Sequence, residues 1–131
     1  MAFETADTSG RPIHHTNVLM CIGTEFALLG LDLIADPRRR AQIRARLKES
    51  GRTVLPLSAT QIGQFAGNAI ELQGRDGLVL AMSTRAAACL APEQHHALSQ
   101  FARILPLAVP TIESAGGSVR CMLAGIHLAQ R

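Results

Sequence analysis

"NVLMCIGTEFALLGLDLI", residues 17–34, decides the fold. Two apolar, β-leaning runs flank a Gly23-Thr24 turn, so the stretch reads as a hairpin. "DPRRRAQIRARLKESG", residues 36–51, then reads as a helix. Asp36 suits the N-cap and Pro37 the first helical position. Ile43 and Leu47 share one face at i,i+4, and Gly51 ends the run. "TVLPLS", residues 53–58, is a short strand. The first unit is therefore ββαβ, over residues 17–57.

The same order restarts at Asn68, 51 residues after Asn17. "GNAIELQGRDGLVLAMS", residues 67–83, is a hairpin around Arg75-Asp76-Gly77. "STRAAACL" and "PEQHHALSQFAR" are helical, with Ser83 as N-cap and Pro92 opening the second piece. "ILPLAV" is the closing strand of a second unit over residues 68–109. "VRCMLAGIHL" is left over, and residues 117–128 read as a final strand. The class is α/β, in one domain over residues 1–131, built as an internal repeat. Neither unit is expected to bury its inner face alone. Repeats of this kind close around an axis or stack. Two units and a strand do not close a ring, so the expectation is a portion of a larger assembly.

Composition sets the bounds. The chain has 131 residues, 47% hydrophobic and 18% charged, which is globular rather than disordered. With no Trp or Tyr and four Phe, the core must come from aliphatic side chains and Met. No apolar run reaches the ~18 residues of a membrane span, and "MAFETADTSGRP" has no signal-peptide pattern. Cys21, Cys89 and Cys121 form no CxxC pair, which points to a reducing, cytoplasmic compartment. The "RRR" at 38–40 reads as a solvated face. No aromatic residue interleaves it to stack on bases, so no nucleic-acid partner is expected.

Chemistry concentrates near Cys121. A lone cysteine is often a small buried hydrophobe. "SAGGS" just before it allows close backbone approach, and its successive N–H groups can form an anion-holding nest. Arg120 adds positive charge, although strand alternation would turn its side chain away. A cysteine nucleophile needs such surroundings and a base, usually His. His95 and His96 lie in a polar helical stretch, and His127 sits in the final strand. "PIHHTNV" differs. In a strand, His15 and Asn17 have the same parity and face one way, with His14 opposite. This pair can hold a polar substrate or serve only structure. Cys21 and Cys89 read as core. No His/Cys pair has metal-ligand spacing, and the glycine-containing stretches match no phosphate-binding pattern.

Three stretches together resemble a known family: "FETADTSGRPIHHTNVLMCIG", "QFAGNAIELQGRDGLVLAMS" and "VPTIESAGGSVRCML". They are similar to the C-terminal part of arginine deiminase-related proteins. These belong to the guanidino-group-modifying superfamily, with arginine deiminases, dimethylarginine hydrolases and amidinotransferases. The branch that looks nearest is the citrulline-utilisation or dimethylarginine-hydrolase-like group, and the match runs from about Phe3 to Leu128. The resemblance implies a partial five-bladed α/β propeller, or pentein. It implies hydrolysis of C–N bonds in amidine or ureido groups through a covalent cysteine intermediate. Cys121 would be the nucleophile, His15 the general acid and then base, and Asn17 a substrate-binding residue. The substrate would be a small guanidino or ureido compound, with neither metal nor organic cofactor. Three departures stand out. Asn17 stands where many relatives have Asp, and His14 where an aromatic is commoner. The acid-bearing first blades have no counterpart, and Glu4 and Asp7 do not match those acids. The other expectation is therefore an inactive remnant, or a half-module completed by its own copies or by a complementing N-terminal chain.

Overall fold

The centre of each unit is a strand with no polar face. In the computed structural model, which describes residues 3–125, Phe26, Ala27, Leu28 and Leu29 have no exposed surface. They form β2 (Phe26–Leu29), between antiparallel β1 (Met20–Ile22) and parallel β3 (Thr53–Pro56). A strand buried on both faces reads as a continuous apolar run, and this one does. The second sheet repeats the pattern. Here β5 (Gly77–Ser83) lies between antiparallel β4 (Ile70–Gly74) and parallel β6 (Arg103–Leu107). The β4–β5 turn works because Gly77 takes φ +117°.

Among the described residues six α-helices join the strands: α1 (Thr16–Leu19), α2 (Pro37–Glu49), α3 (Ala59–Gly63), α4 (Thr84–Ala88), α5 (Pro92–Ser99) and α6 (Pro110–Ser114). The expected caps are present. The Asp36 carboxylate accepts from Arg38 N–H at 2.8 Å, and Ser83 Oγ accepts from Ala86 N–H at 3.0 Å. Both leave fewer orphan donors at a helix start. Helix α3 was not expected. Ser58 and Gln61 form a capping box at its start, with the S-x-x-Q spacing that such boxes require.

One core spans both sheets. Leu28, Leu57, Ile62, Leu80, Met82 and Leu98 pack in a single buried cluster. The rings of Phe26 and Phe101 stack across it at 5.8 Å. Each unit thus closes on the other, as the repeat required. A smaller cluster of Leu19, Leu29 and Ile34 is covered by Ile43 and Leu47 of α2.

Two expectations are corrected. Asn17 is not in a strand: Thr16–Leu19 is a helical turn, closed by Val18 N–H donating to the His15 carbonyl at 3.0 Å. The same-face parity of His15 and Asn17 therefore does not hold. Nor does the region around Cys121 form the expected strand of residues 117–128. Val119–Met122 is a 3₁₀ turn. Arg120 N–H, which a strand would give to a ladder, is taken by the Asn68 side chain at 3.0 Å. Val119 is wholly buried while Cys121 and Met122 are exposed, which no alternating pattern produces. His127 lies outside the described residues.

The seam between units is tightest at Gly67. A Cβ there would lie 2.4 Å from the Val18 carbonyl oxygen and 2.9 Å from the Leu19 carbonyl carbon. Backbone cannot rotate aside as a side chain can, so Gly67→Ala is expected to destabilise the fold by roughly 3 kcal/mol. Gly63, with nothing within 4 Å of its Cβ position, is the matched control. Gly63→Ala in α3 should be neutral or stabilise slightly. Thermal unfolding of both variants checks this, and equal melting shifts would contradict the packing account.

Candidate active site

Cys121 is placed by a chain reversal. After α6, Gly116 takes φ +86° and gives its N–H to the Glu113 carbonyl at 3.0 Å. Gly117 N–H bonds the Ile112 carbonyl at 3.2 Å. The helix end is thereby satisfied and the chain turns back. Ser118 and Val119 are buried as anchors, and the 3₁₀ turn packs on β5. Cys121 N–H closes the turn onto the Ser118 carbonyl at 3.1 Å. The thiol is left at the surface.

Two side-chain amides converge on that thiol. Asn68 Nδ2 donates to Cys121 Sγ at 3.1 Å, and Asn17 Nδ2 approaches it at 3.6 Å. Asn68 Nδ2 also donates to the Asn17 backbone carbonyl at 2.9 Å. The two asparagines that begin the sequence units thus meet each other at the sulfur. His15 stands exposed two residues before Asn17, in the N-cap position of α1. Among the described residues no hydrogen bond joins it to Cys121. His14 is also exposed, and His95 Nε2 pairs with the Ala87 carbonyl at 3.0 Å, away from the thiol.

An open cleft of about 580 Å³ is lined by residues of the adjoining edge strands β1 and β4, and Asn17 and Arg120 bring it beside the turn that carries the thiol, which does not itself line it. Asn17, Cys21, Glu71 and Arg120 line it. Glu71 Oε1 accepts from Thr24 N–H at 2.9 Å and from its hydroxyl at 2.6 Å. Glu71 Oε2 is buried without a partner among the described residues. Arg120 reaches this cleft because it sits in a turn. Its guanidinium donates to the Leu123 carbonyl at 2.8 Å. Among the described residues no three His, Cys, Asp or Glu side chains gather to hold a metal, and no helix is long and apolar enough to cross a membrane. Sequence reasoning missed Asn68, Glu71 and the orientation of Arg120. For Asn68 a signal existed: an amide inside the apolar run "FAGNAI" must find partners once buried.

The thiols differ by position. Cys21 faces Leu28 across the sheet and is 4% exposed. Burial, and then the Glu71 carboxylate, push its thiol up to about 12, against the opposing pull of Arg120. Burial also raises Cys89, whose Sγ lies 3.2 Å from the Ala86 carbonyl.

Two linked sheets with a surface thiol at their seam fit the guanidino-group-modifying class that the sequence resembles. The narrower assignment comes from the whole chain. The family model for eukaryotic N,N-dimethylarginine dimethylhydrolase matches residues 1–128, and the chain belongs to that family. No curated protein sequence matches it. Among solved structures it is similar to ArgZ, an arginine dihydrolase from the ornithine–ammonia cycle in Cyanobacteria. The apo structure aligns with TM-score 0.66 at 14% identity, over 90% of this chain and 17% of that one. The N-terminal domain bound to product aligns at 0.60 and 16% identity, over 83% and 36%. A cysteine-to-serine mutant of that domain bound to substrate aligns at 0.63 and 14% identity, over 92% and 40%. These likenesses show the fold, and the chain spans well under half the length of each.

Brief iodoacetamide exposure at neutral pH should label Cys121 first, because it stands at the surface while burial raises Cys21 and Cys89 and keeps them as the less reactive thiol. Cys21 and Cys89 should stay unlabelled while the fold is intact. Cys21 also implies a stability window. Its raised folded value means that burial as a thiol stabilises the fold fully below the ordinary 9.0, and that this is lost as pH climbs towards about 12. Site-resolved mass spectrometry and alkaline unfolding read the two effects. Equal labelling of all three thiols in folded protein would contradict the assignment.

Proposed function

We propose that Cys121 is the nucleophile of a hydrolase that cleaves C–N bonds in guanidino or ureido groups of arginine, methylarginine or citrulline type. The observation that carries this is a surface thiol flanked by two amide donors, at the seam of the units, in a dimethylarginine dimethylhydrolase family chain. The Cys121 thiolate attacks the guanidino carbon and forms a C–S bond. The C–N bond to the leaving amine breaks, and His15 gives that amine its proton. His15 then takes a proton from water, and the hydroxide adds to the thiouronium-type carbon. Collapse breaks the C–S bond, the added hydroxyl gives its proton to the released amine, and the thiolate and the ureido product are left. One imidazole thus serves both half-reactions, and each proton it gives it takes back. Asn17, at the cleft wall, holds the substrate by its amide. No metal or organic cofactor takes part. Three unpaired cysteines support a reducing, cytoplasmic setting.

A second reading concerns completeness. The strands β1 and β4 are sheet edges beside the cleft, and Ile22 and Leu72 on them are 52% and 38% exposed. Unpaired edges with apolar side chains invite cover. In this reading the two units belong to a five-bladed propeller. Further blades, on a longer chain, a second chain or its own copies, supply the carboxylates that fix imidazole and substrate. Without them the site is inactive.

The test is release of ammonia or amine from arginine, citrulline and methylated arginines. The chain by itself should turn over little, since each ~1.4 kcal/mol of lost positioning is tenfold in rate. Supplying the remaining blades should raise turnover. Cys121→Ser should then abolish it and His15→Ala should lower it by about 10²–10⁴. Turnover that survives Cys121→Ser would sink the reading.

A further inference from the structure

Asn68 is 1% exposed, and every polar atom of its side chain is engaged. Oδ1 accepts from Arg120 N–H at 3.0 Å. Nδ2 donates to the Asn17 carbonyl at 2.9 Å and to Cys121 Sγ at 3.1 Å. A backbone N–H only donates and a backbone carbonyl only accepts, so these two partners fix which end of the amide is nitrogen. The group facing the sulfur is therefore a donor. It is also a captive donor, because a buried amide has no water to turn to.

We infer that Asn68 is a positioning residue for the proposed nucleophile: its buried amide holds Cys121 Sγ in place and stabilises the sulfur as a thiolate. This rests on the reading of Cys121 given above. A hydrogen bond to the charged form of a group favours that form. A bond to an ionised sulfur is also stronger than one to a neutral thiol. Asn17 offers a second, longer contact of the same sign at 3.6 Å. Other charged groups surround the site. Arg120 comes from the same turn and Glu71 from β4 across the cleft. Glu113 of α6 accepts from Ser118 Oγ at 3.5 Å, and His15 precedes α1. None of these hydrogen-bonds Sγ among the described residues. Asn68→Ala leaves all of them in the chain and adds no charge, so a change in the sulfur's titration in that variant reads the amide.

The experiment is the pH profile of Cys121 alkylation in the full chain, with Cys21 and Cys89 as internal reporters of an intact fold. Asn68→Asp keeps an oxygen for Arg120 N–H but removes the donor and sets a carboxylate beside the sulfur. The pH of half-maximal alkylation should rise by about one unit or more, roughly tenfold slower labelling at neutral pH. Asn68→Ala should shift it in the same direction by less. A residue that served structure alone would leave the midpoint in place in Asn68→Ala, which adds no charge, and that outcome would overturn the inference. A second measurement needs no change at position 68. In unmodified protein the Asn68 side-chain amide proton resonance should titrate with the alkylation midpoint, and the response should vanish in Cys121→Ala. A resonance that stays flat would also overturn it. Both readouts are independent of turnover. A shifted midpoint in a protein whose turnover, with the remaining blades supplied, survives Cys121→Ser supports the role of Asn68 and removes the hydrolase reading. Turnover with an unmoved midpoint does the reverse.

Discussion

A single buried amide has to be satisfied, and the molecule is arranged around it. Asn68 sits at the start of the second unit, with Gly67 before it pressed onto the Val18 carbonyl. Its side chain then ties three segments together: the turn before β1, its own strand start, and the turn that carries Cys121. A buried polar group left unpaired costs about 1–3 kcal/mol. That penalty makes the three contacts mutually dependent. If the 3₁₀ turn moved off, Oδ1 would lose Arg120 N–H and Nδ2 would lose the sulfur.

Chemical contrast between the thiols follows from where the seam lies. Cys21 belongs to β1 and packs inward opposite Leu28, with a carboxylate nearby. Cys121 stands on a turn at the surface, facing amide donors. Low dielectric and a negative neighbour keep the first protonated, while the second meets side-chain donors at the surface. The cleft between β1 and β4 adds polar groups at reach, with Glu71 braced by Thr24 and Arg120 braced by its own turn. Packing within the units and polarity at their seam are thus two sides of one arrangement. Apolar central strands fill the core, and the residues at the strand starts are left to gather at the seam.

The repeat was legible in the residues alone. Apolar runs, turn glycines and caps repeat in the same order, and the observed strands fall where those signals put them. Such features are local: Asp36 caps α2 through a residue two positions away, and Gly77 turns the hairpin by its own dihedral. Helix α3 was also locally encoded, in the Ser58–Gln61 box, and was overlooked because its segment is short. Membership of the family was legible too, from the ordered HTN, FAGN and GGSVRC stretches taken together.

The site was legible only in its components. Sequence marked Cys121, His15 and Asn17 but put them on strands, because apolar alternation cannot tell a strand from a turn whose N–H groups are captured elsewhere. Asn68, 53 residues from Cys121 and 51 from Asn17, takes the Arg120 N–H and donates to the Cys121 sulfur and the Asn17 carbonyl. No periodicity reports a contact of that range. The sequence by itself determined the units, their order and the residue types available for chemistry, since these depend on neighbours along the chain. Tertiary structure alone decided which thiol meets donors and which is buried, because hydrogen bonding and burial are set by the meeting of two units distant in sequence.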